Sequence, residues 1–383
     1  MRFCQRGSSA AILLLSLRLP AGASADTLID NVSGLTPGEG GGTERFEALL
    51  IGSDGRVIQL FKRGDKRPRK LDYRLDGKGR VLAPGLIASD VDVMRLGIGL
   101  LLAKPSVTRA DGAVPNGQPR PEDRDVALQE AQQALLSSGF TTVAAMSAGI
   151  EDWQAFRRAG DMGTLRMRLV AYAPGIDQTV LIGGPGPSPW LYEDRLKFNG
   201  PVLRFGGTNG PSDTQLRNLM SRAAMDRFQI AIRLESAAAV PVLLGAAAEL
   251  AETYRGDRRW RVLGQVPGTD MPRAATLGLL AESQPAVSVP ADIARVQAWL
   301  VGGPQGLAAN AAAGRALFAE TRVGRLAAGL RADFVLLDRE PGIGATDGTP
   351  MPRVLETWVG GRRAWQANDP EPARPDPVHS AGR

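Results

Sequence analysis

The sequence predicts an α/β protein: a TIM-like (β/α) barrel, incomplete at about seven strands, with a small β-sandwich domain split between the two chain ends. Three observations carry this. The chain has 383 residues, 43% of them hydrophobic and 22% charged, enough for one large domain with a satellite. Its middle alternates helical and strand patterns. Its two ends carry only short strand patterns separated by glycine turns.

Residues 27–83 read as all-β. "EALLIGSDGRVIQLF" is a hairpin turning at Ser53-Asp54-Gly55, and Gly77 and Gly79 punctuate the next extended segments. The texture then changes. "EDRDVALQEAQQALLSSGFTTVAAM" reads as a helix, a stop at Gly139 and a buried strand. "PSDTQLRNLMSRAAMDRFQIAIRLE" repeats the unit, with Ser212 or Asp213 as N-cap and Leu216, Leu219, Met220 and Ala223 as the apolar stripe. "VLLGAAAELAETYRGDRRWRVLGQV" repeats it again. Strand candidates fall near Leu86, Val143, Leu169, Leu203, Ile230, Val262 and Leu280. Helix–strand alternation implies a parallel sheet. An open doubly wound sheet is the alternative, but no glycine-rich loop sits between a strand and a helix to support it. Near the C-terminus "GLRADFVLLDREP" and "VLETWVGGRRAWQ" return to strand patterning, the latter turning at Gly360-Gly361.

Residues 1–25 read as a secretory signal: Arg2 and Arg6, a short apolar run from Ala10 to Leu17, and Ala23-Ser24-Ala25 before a cleavage point. Eight apolar residues are too few to span a bilayer, so export, most simply to a periplasm, is the expectation. Residues 367–383 read as a polar, proline-rich disordered tail. The net charge is +6, and removing Arg2, Arg6 and Arg18 leaves 6 − 3 = +3, which makes no case for nucleic-acid binding. The one cysteine, Cys4, lies in the signal, and the one histidine, His379, lies in the tail. That count excludes a Cys/His metal cluster and a serine–histidine hydrolase site.

Three stretches resemble the metal-dependent amidohydrolase superfamily, and within it the branch called amidohydrolase family 3. "GRVLAPGLI" (79–87) is similar to the strand entering that family's barrel. "GRLAAGLRADFVLLDREP" (324–341) is similar to its return to the β-domain, and "TWVGGRRAW" (357–365) to its last hairpin. The resemblance implies a β-domain from residues 27–83 and 321–366 around a barrel at 84–320. It also implies a hydrolase acting on carbon–nitrogen bonds other than peptide bonds, using a divalent metal, usually zinc.

The positions that would hold that metal are filled by other residues. Asp90 and Asp92 stand where the family has a His-x-His pair, Arg233 and Gly264 where it has two later histidines, and Arg204 where a bridging lysine occurs. The strand that carries the family's general-base aspartate has no counterpart, and the chain is shorter than the family norm after Leu102 as well. Arginine has no lone pair to give a metal, and water activation needs both a metal and a base. No cofactor and no catalytic residue are therefore expected; the expectation is an inactive relative. Asp90, Asp92, Arg204 and Arg233 would instead neutralise one another at the barrel mouth, near Glu235 and Glu282, and Arg233 would pair with Asp90 or Asp92. A binding protein that uses the inherited mouth for a small polar ligand, with Glu235, Glu282 and Trp190 as possible pocket residues, is the competing class. Carboxylate-based chemistry at Asp90 or Asp92, or a calcium-like ion held by oxygen ligands, stays open. An open barrel leaves strand edges that a loop or a second copy would have to cover, so a homo-oligomer is possible.

Overall fold

The computed structural model describes residues 26–103, 120–208, 210–301, 304–341 and 351–368. The expected secretory signal with Cys4, the expected tail from 369 with His379, and residues 104–119, where the chain is expected to be shortened after Leu102, lie outside them.

The middle of the chain is the predicted parallel sheet. Seven strands lie side by side in chain order: β8 (Leu86–Val91), β9 (Phe140–Ala145), β10 (Arg168–Pro174), β11 (Leu196–Phe205), β12 (Ala231–Leu234), β13 (Trp260–Leu263) and β14 (Leu279–Glu282). Every neighbouring pair is parallel. The crossovers include α2 (Pro121–Ser137), α3 (Ile150–Asp161), α5 (Asp213–Met225) and α6 (Val240–Thr253). Ser212 caps α5, accepting from the Gln215 N–H at 3.3 Å. Side chains alternate along the strands. Val143, Leu169, Ile232 and Val262 pack outward against the helices, whereas Ala144, Val170, Ala231 and Leu263 join an inner cluster. The sheet thus curls into a partial barrel with a packed interior rather than a pore.

The gap of the missing eighth strand is closed by substitutes. Val287 makes a single parallel bridge to Val91, with Val287 N–H donating to Asp90 O at 2.8 Å and Asp92 N–H to Val287 O at 2.9 Å. Lower down, side-chain amides stand in for a neighbouring strand. Asn310 accepts from Ile87 N–H at 2.7 Å and donates to Gly85 O at 3.0 Å. Gln284 donates to Ile87 O at 3.1 Å and accepts from the Ser89 N–H and hydroxyl. The free edge of β8 is therefore satisfied without a strand. Asn310 lies on α9 (Pro304–Ala316), and between α9 and β14 a seam cavity of about 440 Å³ remains, lined by Ser89, Leu280, Glu282, Ala309, Ala313 and Ala316.

The chain ends build two further sheets. One has the order β5-β4-β1-β6, from Val57–Phe61, Ala48–Ile51, Thr27–Asp30 and Tyr73–Asp76. The other has the order β17-β16-β15-β7-β2-β3, where β17 (Arg362–Gln366), β16 (Val354–Val359) and β15 (Phe334–Leu337) come from the C-terminal side and β7 (Val81–Pro84), β2 (Ser33–Pro37) and β3 (Thr43–Phe46) from the N-terminal side. β15 and β7 join the halves, antiparallel from Phe334↔Pro84 to Leu337↔Val81. Ile29, Leu49 and Ile51 of the first sheet meet Leu82, Phe334 and Trp358 of the second in one core, with the Phe334 and Trp358 rings stacked at 5.3 Å. Gly360 and Gly361 both have positive φ, 58° and 71°, as the two-residue hairpin requires.

Candidate functional site at the barrel mouth

The C-terminal ends of the strands are where barrel enzymes place their chemistry. Asp90, near the end of β8, is 5% exposed. The register with β9 shifts between Ala88 and Val91, and this irregularity breaks strict alternation just where Asp90 must turn. Its Oδ1 accepts from Arg233 Nη2 at 2.6 Å, and the Arg233 side chain is 30% exposed. A residue from the first strand and one from the fifth thus meet as an ion pair.

The other positions expected at the site do not join them. β8 ends at Val91, so Asp92 is off the strand: it is the N-cap of α1 (Val93–Leu102), accepting from Arg95 N–H at 3.1 Å. Burial pushes its carboxyl above the usual aspartate range, against the pull of the Arg95 N–H. Strand alternation would have put Asp90 and Asp92 on one side; the strand stops too soon for that rule to apply. Arg204 points outward, 71% exposed, and donates to Glu235 Oε1 at 2.6 Å. The cluster expected from sequence therefore separates into an inner pair, Arg233–Asp90, and an outer pair, Arg204–Glu235. Gly264 sits at φ 124°, and a Cβ there would lie 3.2 Å from Leu234 O.

Glu282 is not free either. Arg261 on β13 is fully buried and holds it with two bonds, Nε to Oε1 at 2.5 Å and Nη2 to Oε2 at 2.8 Å. Arg261 also donates to Ser89 O across the interior, and its guanidinium lies 5.1 Å from the centre of the Tyr172 ring. Burial opposes the charge on Arg261, but Glu282 and Tyr172 outweigh it and hold the group protonated. Sequence reasoning missed Arg261. The only signal was a charged residue at the centre of an otherwise apolar strand, "WRVL". Trp190 lies away from the mouth altogether: its ring packs against the inner cluster beside Lys197 and Arg322, 5.8 and 5.4 Å from its centre. Sequence spacing could not place it, because it belongs to the loop ahead of β11, at the opposite end of the strands.

Zinc, which the resemblance implies, does not fit these side chains. Arg233 offers no lone pair, Gly264 offers no side chain, and Asp90 is committed to Arg233. Among the described residues no three His, Cys, Asp or Glu side chains gather as a metal cage, so the four carboxylates Asp90, Asp92, Glu235 and Glu282 do not form an oxygen site for a calcium-like ion. Along the same rim a groove of about 510 Å³ runs past Gly264, Gln265, Pro267, Glu282 and Gln284.

No protein-family model matches the chain, and no curated protein matches it. Solved structures do. A metal-dependent hydrolase from Pyrococcus furiosus superposes with a TM-score of 0.65 at 16% identity, over 84% of this chain and 100% of that one. The shared property is the fold. A triazine hydrolase from Arthobacter aurescens gives 0.59 at 16% identity, covering 88% and 94% of the two chains. An adenosine deaminase from Xanthomonas campestris, solved with bound zinc, gives 0.58 at 15% identity, covering 88% and 92%. The architecture of barrel plus β-domain is thus that of metal-dependent hydrolases of the amidohydrolase fold.

Proposed function

We propose that the chain is an exported, catalytically inactive relative of the metal-dependent hydrolases that act on carbon–nitrogen bonds other than peptide bonds, within the family 3 branch. The observation that carries this reading is the Arg233–Asp90 pair. Two of the positions that would supply metal ligands neutralise each other at 2.6 Å, and the cation in that volume is a guanidinium. Export rests on the basic start, apolar run and small-residue cleavage pattern of residues 1–25. A binding role is the second reading, favoured by the groove past Gly264 and Gln284, whose size suits a small polar molecule.

The test has two parts. Elemental analysis of the dialysed mature protein is expected to give well under one zinc per chain, and a panel of N-acyl and cyclic amides is expected to stay intact with zinc added. The variant Asp90→His/Asp92→His/Arg233→His/Gly264→His is expected to gain no zinc-dependent hydrolysis, because no general-base strand follows. Its melting temperature should fall, since the side chain added in place of Gly264 would sit at a φ that side chains rarely adopt and the α1 cap is weakened. Stoichiometric zinc in the native protein, or hydrolysis by the fourfold variant, overturns the reading.

A further inference from the structure

Lys197 is the second residue of β11, at the floor of the barrel, far along the strand from Arg204. Its amine lies between two rings, 5.8 Å from the centre of Trp190 and 5.6 Å from that of Phe318. Each ring carries a second cation: Arg322 is 5.4 Å from the Trp190 centre and Arg259 is 4.4 Å from the Phe318 centre. Both arginines have carboxylate partners. Arg322 pairs with Asp194 at 3.1 Å, and Arg259 pairs with Glu320 at 2.7 Å and Asp257 at 2.8 Å. Lys197 forms no ion pair or hydrogen bond with another described residue. Beside it the indole N–H of Trp190 is buried without a partner.

The charges around the amine do not cancel. Asp194 also binds Arg331 and Arg56, and Arg56 reaches Asp54 as well, so five cations (Lys197, Arg259, Arg322, Arg331 and Arg56) face four carboxylates (Asp54, Asp194, Asp257 and Glu320). An anion is favoured there. The amine itself is biased toward its neutral, nucleophilic form: burial first, then Arg322 and Arg259, with Glu320 opposing, lower its pKa to about 8. A lysine that is desolvated and set beside other cations is the arrangement that activates amines for imine chemistry. Lys197 is also half-buried rather than fully enclosed.

We propose that the Lys197 amine, walled by Trp190 and Phe318 and flanked by Arg259 and Arg322, is a covalent capture site for a small 2-oxo acid, held as an imine. The Nζ lone pair adds to the carbonyl carbon, and the carbonyl oxygen takes up the protons that the nitrogen gives off. Water then leaves as C=N forms, so amine and carbonyl compound become imine and water with no change in oxidation state. The carboxylate of the oxo acid answers the excess positive charge.

The chain has six lysines, and of the other five, Lys62, Lys66, Lys70 and Lys78 are described and exposed. At pH 7.5 an amine titrating near 8 is neutral about one time in four, against about one in a thousand for an ordinary lysine. The native mature protein, incubated with glyoxylate and cyanoborohydride at that pH and mapped by peptide mass spectrometry, should therefore be carboxymethylated at Lys197 at least about tenfold faster than at those four. Propanal, which lacks the anion, should mark Lys197 more slowly than glyoxylate does. Arg322→Gln and Arg259→Gln, each checked for an unchanged circular dichroism spectrum, should narrow that difference. Marking spread evenly over the exposed lysines, or equal Lys197 rates with glyoxylate and propanal, overturns the proposal.

Discussion

Two arginine–carboxylate pairs mark the two ends of the barrel, and they are built differently. At the floor, Arg168 opens β10 and meets Asp333, which leads into β15 of the β-domain. Nε and Nη2 grip both carboxylate oxygens at 2.7 and 2.8 Å, Nη1 donates to Asp194 O at 2.7 Å, and Asp333 accepts the Gly360 N–H at 2.7 Å. The side chains are 1% and 3% exposed. At the mouth, Arg233 gives Asp90 one bond and remains 30% exposed. A buried pair is tolerable only when its remaining hydrogen-bonding groups are met, and the floor pair meets that condition. The mouth pair is partly wet and singly bonded. The floor pair joins two domains; the mouth pair spans the interior between the first strand and the fifth.

The largest expected effect is at the floor. Arg168→Ala strands the Asp333 carboxylate and should cost about 3–5 kcal/mol, read from the midpoint of denaturant unfolding. A loss below about 1 kcal/mol would mean that the two ends are energetically alike, which their geometry denies. At the mouth, Arg233→Ala should cost about 1–3 kcal/mol, because Asp90 is left buried but its former partner faced water. The pairing itself contributes less than the penalty of leaving one member alone, so Asp90→Asn/Arg233→Met should come out milder than the single change. A double variant worse than the sum of its singles would show that the mouth pair clamps the fold as the floor pair does.

The smallest effect concerns Asp92. Its carboxyl titrates above the unfolded value of about 3.8 because of burial, so the folded state holds the proton more tightly than the unfolded one does. The resulting stabilisation is fully present below about pH 3.8 and is lost as pH rises through the higher folded value. Asp92→Asn keeps a capping oxygen and removes the buried charge. It should therefore be neutral or stabilising by under about 1 kcal/mol at pH 7, relative to wild type, and lose that advantage near pH 3, as followed by melting temperature against pH.

Much of this architecture is legible in the sequence. The hairpin at Gly360-Gly361, the Ser212 cap and the Asp90–Arg233 meeting all follow from local patterns or from the resemblance to a barrel of known strand order. What was not legible depended on the gap. Asn310 and Gln284 serve as strand substitutes because a strand is missing, and nothing within "LAANAAAG" or "ESQPAV" marks an amide as a ladder partner. Arg261 and Glu282 sit on adjacent strands, yet the reach of Arg261 to Ser89 on the first strand appears only once the sheet curls. Asp92 was misplaced because alternation holds only while a strand lasts, and β8 ends one residue too early.

The β7–β15 pairing has a consequence for the order in which the molecule is made. Pro84 faces Phe334, so 334 − 84 = 250 residues of chain separate the two strands that complete one sheet. As synthesis proceeds, β1 and β4–β6 can associate early, since all lie within residues 27–76. β2, β3 and β7 can pair with one another within residues 33–84 but cannot complete their sheet. Their sheet remains half built, with the edge of β7 bare, until the whole barrel has emerged. Closing so long a loop carries a high entropic cost, and a barrel that folds first shortens the distance to be closed. The barrel thereby acts as the jig on which its own satellite domain is assembled, and the Arg168–Asp333 bond is among the last to form.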